Sequence, residues 1–191
     1  MKIKLASVLS YILSAPFFSI YILMLFIDTT QSYLYAFLTV LIFISILPIV
    51  WVVIESLAGR IDIFVSDRRK RTKFFIPALI SYLAGLFVSK YMHDRVLATY
   101  HLSYFIMALS LLILSFKWKA SIHVAGAANP ITFLILLKGI YYAPLYILLI
   151  PVIWCRHVAK AHNAIEFLIG LILALISPFL AFQLIDYILI S

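Results

Sequence analysis

From Leu5 to Ile27 the chain carries no charged side chain, and six further apolar runs follow, parted by short polar breaks. Crossing the hydrocarbon of a bilayer takes about 20 such residues in a helix. In lipid, every backbone N–H and C=O must also find a partner inside the protein, which a helix supplies within its own segment. The pattern predicts an all-α fold, a polytopic transmembrane bundle.

The runs are Leu5 to Ile27, Tyr33 to Ile54, Phe74 to Ser89, Val96 to Phe116, Val124 to Leu137, Tyr141 to Trp154 and Asn163 to Ile190. That gives seven segments, or six if one pair of short neighbours has been miscounted. Lys138-Gly139 should turn a tight hairpin between the fifth and sixth. Of the 191 residues 66% are hydrophobic and only 12% charged, against about 45–50% and about 25% in soluble domains. The spans use up the length, so residues 1–191 read as one integral membrane domain. No small-residue cleavage site follows the first run, which reads as a retained span. A single cysteine, Cys155, excludes an internal disulfide.

The formal net charge is +8. With no soluble domain to bind nucleic acid, membrane topology and phosphate-bearing lipids account for it better. Three polar breaks carry most of the charge: Glu55 to Lys73, Lys117 to His123 and Cys155 to His162. Two apolar segments separate each break from the next, so all three should emerge at one membrane face. Twelve Lys or Arg side chains fall on that face, against Lys90, Arg95 and Lys138 on the other. Positive loops usually stay cytoplasmic, which predicts that orientation in a cell membrane.

The third break holds Arg156 and, after five intervening residues, His162; Glu166 follows three intervening residues later. His162 and Glu166, four apart, share a helix face. A carboxylate there can accept the N–H of one imidazole nitrogen and leave the other free to attack. The planar fork of Arg156 suits a phosphate. The second break holds Ser121 and His123 before a helix that opens on small residues. Such a start offers free N–H groups to an anion, and Gly126, Ala127 and Ala128 let a helix or ligand come close. The first break adds the basic run 68–73. Against these stand blander roles. The third break could be an interfacial cluster pairing with headgroups, Ser121 only a helix cap, and Lys117-Trp118-Lys119 an interface anchor. A His/His/Glu set could hold zinc, but the flanking arginines favour an anionic ligand. His93 and His101 read as a loop residue and a helix-end residue.

Taken in order, a basic motif, Ser-x-His and Arg-x5-His-x3-acid resemble the type 2 phosphatidic acid phosphatase superfamily, from about residue 62 to about residue 173. Phe167-Leu-Ile-Gly170 after the third motif adds to the likeness. The resemblance implies a membrane phosphatase of lipid phosphates or pyrophosphates that needs no metal or other cofactor. It implies His162 as the nucleophile that forms a phosphohistidine, His123 as the general acid, and Glu166 as the group that orients His162. It implies Arg68, Arg71, Lys73, Ser121 and Arg156 as holders of phosphate oxygens. The chain departs from the pattern at Ile122, where the family has glycine, at Cys155, where it has serine, and at Glu166, where it usually has aspartate. Asp67-Arg68-x-x-Arg71 stands in for the usual first motif.

Overall fold

A computed structural model describes residues 8–10, 12–61, 68–159 and 163–190; of residues 68–71 only the backbone is described. All regular elements among them are helical: α1 Ala15–Leu23, α2 Tyr33–Leu57, α3 Arg68–Tyr91, α4 Arg95–Ser115, α5 Ile122–Lys138, α6 Ile140–Val158 and α7 Ala164–Ile190, with a short 3₁₀-helix, Ile27–Thr29, between α1 and α2. Five stretches are long and apolar enough to cross a bilayer: α2, Thr72–Tyr91 of α3, α4, α6 and α7. The all-α expectation holds, and the chain is a helical membrane protein.

The two remaining apolar runs fold into shorter helices, for local reasons. The first does not form one continuous helix. Helical backbone at 8–10 gives way to a turn, Ser14 is extended, and Pro16 opens α1. Proline lacks the N–H that an inner helical turn needs, so it belongs at a helix start. At 17 residues, α5 reaches about 26 Å, short of a hydrocarbon core of about 30 Å. Sequence placed α6 at Tyr141 to Trp154; it runs from Ile140 to Val158 because its first half, Ile140–Leu148, is a 3₁₀-helix containing Pro144. A 3₁₀-helix rises about 2.0 Å per residue, so α6 covers roughly 33 Å where a regular α-helix would cover about 28 Å. Gly139, with φ +106°, makes the hairpin into α6.

The helices alternate in direction, and contacts at their ends fix the arrangement. At one end lie the C-terminus of α2, the start of α3, the α4–α5 link and the start of α7. There Lys73 meets Glu55, and Ser121 meets Glu166. This is the basic end. At the opposite end Arg95 grips Asp186 through two bonds of 2.9 and 3.0 Å. Lys90 donates to the Ile188 carbonyl at 2.8 Å, and the backbone N–H of Gln31 donates to Asp94 at 2.9 Å. Lys138 donates to Asp28 at 2.6 Å, a bond that holds the Asp28 carboxyl below its ordinary value.

The centre of the bundle is α4 and α5. Of the membrane-length helices α4 is the most buried, at 61% of its apolar window, and α6 the least, at 22%. Residues 124–134 of α5 are all buried. Gly126 accounts for part of this, since a Cβ there would overlap Ala15 of α1. Of the two uses foreseen for the small residues, a neighbouring helix has taken this one. In the middle of α2 the backbone widens to a π-helix over Val40–Ile46, where Ser45 donates to the Pro16 carbonyl at 2.9 Å. His101 is more than a helix-end residue: it is fully buried in α4, its Nδ1 2.8 Å from the Leu97 carbonyl, against a Gly85 that leaves room for its ring.

Candidate active site

Ser121 caps α5. Its side chain accepts the Val124 N–H at 3.4 Å, and its own backbone N–H donates to the Glu166 carbonyl at 3.0 Å. Beside this bond the two helices touch backbone to backbone: a Cβ on Gly170 would stand 2.7 Å from the Ser121 carbonyl oxygen. The second break and the start of α7, where the third motif ends, are therefore locked together by two main-chain contacts. Ser121 itself has no exposed surface.

Glu166 has a local role as well. Asn163 caps α7, accepting the Glu166 N–H at 2.9 Å, while its amide lies 3.5 Å from the Glu166 carboxylate. This is close to the reciprocal capping box, in which the third helical residue reaches back to the cap. Lys119 stands 3.8 Å from the same carboxylate. Asn163 and Lys119 are absent from the predicted site. The signal for Asn163 was present, since Asn-x-x-Glu ahead of an apolar run is a helix-start pattern; Lys119 reaches Glu166 from another link of the chain and has no such local signal.

His123 is partly buried on the first turn of α5 and lines an apolar cavity of about 340 Å³. The cavity runs between α1, α2, α3, α4 and α5, along Ile44, Phe74, Phe75, Met107 and Leu111, to Tyr82 and Tyr104 at its deep end. Arg156, in the last turn of α6, is 2% exposed. A cation there suits the negative end of the helix dipole.

Lys73, expected to hold phosphate oxygens, pairs here with a carboxylate. Its ammonium bonds Glu55 at 2.8 Å, and Arg60 bonds the other carboxylate oxygen at 2.9 Å. Glu55 is 5% exposed, so one nearly buried carboxylate already engages two of the basic end's cations. His162, Asp62, Asp67 and Lys160 lie outside the described residues, as do the side chains of Arg68 and Arg71. Of the predicted set, Ser121 and Glu166 are brought into contact, with His123 two residues along from the junction.

No family model, curated protein or solved structure matches this chain.

Proposed function

We propose that the chain is a membrane-embedded phosphatase that hydrolyses a lipid phosphate or a polyprenyl pyrophosphate through a phosphohistidine intermediate, and that it belongs with the type 2 phosphatidic acid phosphatases. What supports the proposal is the main-chain bond between Ser121 and Glu166, one residue from each of the two histidine motifs, together with a hydrocarbon-lined cavity that reaches His123. On this reading α1 and α5 also sit within the bilayer, giving six to seven spans. The site lies at one membrane face, in a cell membrane, with the basic loops cytoplasmic.

The substrate enters sideways from the lipid with its tail between helices. Arg68, Arg71, Ser121 and Arg156 hold the phosphate oxygens. The Glu166 carboxylate accepts the N–H of His162, and the other nitrogen attacks phosphorus. A P–N bond forms, the bond from phosphorus to the lipid oxygen breaks, and His123 gives that oxygen its proton. His123 then takes a proton from water as the water oxygen displaces His162, releasing phosphate and restoring both histidines. Placed acid–base groups supply about 10²–10⁴-fold each, and fixed cations stabilise the charge that builds on the phosphoryl oxygens.

One observation favours a second reading, a lipid-binding protein without turnover: Glu166 is engaged by Asn163 and Lys119, and Lys73 by Glu55. A panel of lipid mono- and diphosphates assayed for phosphate release with EDTA present separates the two. Turnover under chelation is expected. Tight vanadate binding with no release from any lipid would favour the second. Transfer to an added alcohol in place of water would reassign the enzyme as a phosphotransferase.

A further inference from the structure

The cavity has a direction. His123 stands at its basic end. On α3 it is lined from Phe74 to Tyr82, and on α4 from Leu111 to Tyr104. Eight and seven residues of helix put the two tyrosines about 12 Å below the upper lining. Two of its lining residues, Phe17 of α1 and Ile49 of α2, are 48% and 40% exposed, so the cavity wall reaches the surface between these helices. Two of the stretches that line it are irregular: Ser14 breaks the first run, and Ile44 lies in the π-helix Val40–Ile46, an element that often marks functional sites. Its volume is near the lower end of the roughly 300–1,000 Å³ of small-molecule pockets, room for one hydrocarbon chain.

The deep end is stiff. The Tyr82 and Tyr104 rings are 5.6 Å apart, and Tyr104 packs edge-on against Tyr100 at 5.3 Å. Tyr100 in turn meets Phe133 and Phe26, and its hydroxyl donates to the Ser19 carbonyl at 2.9 Å. A ring in such a stack cannot swing aside without disturbing its neighbours. Tyr104 is 1% exposed, and its hydroxyl has no hydrogen-bond partner among the described residues.

We propose that this cavity binds a single hydrocarbon chain of a lipid whose anionic headgroup sits at His123, and that Tyr82 and Tyr104 form a floor that limits how much straight chain it accepts. The proposal rests on the phosphatase reading only in taking that headgroup to be a phosphate. Up to the floor, each added methylene is removed from solvent. Beyond it, further carbons must bend back or leave between α1 and α2, and contribute little.

The test uses the full chain in detergent and a series of alkyl monophosphates of graded length. Two measurements are made on each: displacement of a fluorescent alkyl probe, and phosphate release. In the unaltered protein affinity should rise about fourfold per methylene and then level off once the chain spans about 12 Å. Tyr82→Ala should carry the rise on to longer chains. Tyr104→Phe keeps the ring, loses the hydroxyl, and should leave the break point unmoved. A rise with no break, or a break that Tyr82→Ala leaves in place, overturns the floor, whatever the release assay gives. A break that moves as expected with no release from any lipid upholds the floor and removes the phosphatase. Should Tyr82→Ala prove unfolded by circular dichroism, Tyr82→Trp should shift the break to shorter chains, and an unmoved break there also overturns the proposal.

Discussion

Ser121 gives its backbone N–H to the carbonyl of Glu166. Residues 45 positions apart in the chain are thus fixed by groups that no side-chain substitution short of proline at 121 removes. The frame of the candidate site is main chain, and the side chains that would do chemistry hang from it.

Gly170 should tolerate no larger residue. In Gly170→Ala the new methyl group meets a carbonyl oxygen of the backbone, which cannot rotate away, and overpacking of this kind costs about 1–3 kcal/mol. A thermal melt in detergent should show the loss, accompanied by a fall in phosphate release. An unshifted melt would mean that α7 moves away from Ser121 freely.

His162→Ala should abolish phosphate release while helicity and the detergent-solubilised size stay unchanged. His123→Ala should slow release by about 10²–10⁴-fold, and least for a substrate whose leaving group needs no proton. Full activity in the first variant would remove the nucleophile from the proposal.

Lys73→Ala should cost little. Its side chain is half exposed and its ammonium bonded to Glu55, whose other oxygen keeps Arg60 when Lys73 is removed, so the carboxylate is not left unpaired. Activity should stay within about tenfold of the parent. Arg156→Ala, which removes a buried fork, should fall well below that. A Lys73→Ala loss as deep as that of Arg156→Ala would return Lys73 to the phosphate.

Asp28 gives a pH signature. Its bond to Lys138 lowers its carboxyl from an ordinary value of 3.8. A group lowered on folding stabilises fully above the unfolded value and loses that contribution as pH falls through the folded one. Melts taken below that ordinary value should therefore decline with acid, and Asp28→Asn should flatten part of the decline. The carboxylate is exposed, so the effect should be small and should shrink with salt.

The number and placing of apolar runs could be read from the sequence because hydrophobicity is a property of each residue alone. What Pro16 and Pro144 do could not: a proline says that regular bonding fails nearby, but whether the backbone turns, as at Ser14, or tightens to a 3₁₀-helix, as in α6, depends on neighbours. The candidate site divides in the same way. Ser121 as a cap and Gly170 as part of the motif lay within reach of local pattern. The pairing of Lys73 with Glu55 joins two helices and turns on which cation a buried carboxylate takes first. The cavity is formed by five helices together, and no single segment announces it.

The pairings at the opposite end carry an electrical consequence. Among the described residues, Lys90, Arg95 and Lys138 are matched there in number by Asp28, Asp94 and Asp186, so these six side chains carry no formal net charge. On the proposed reading the molecule is a one-ended magnet for anions: balanced at this end and, at the other, drawing phosphate-bearing lipids along the membrane plane before any of them touches a histidine.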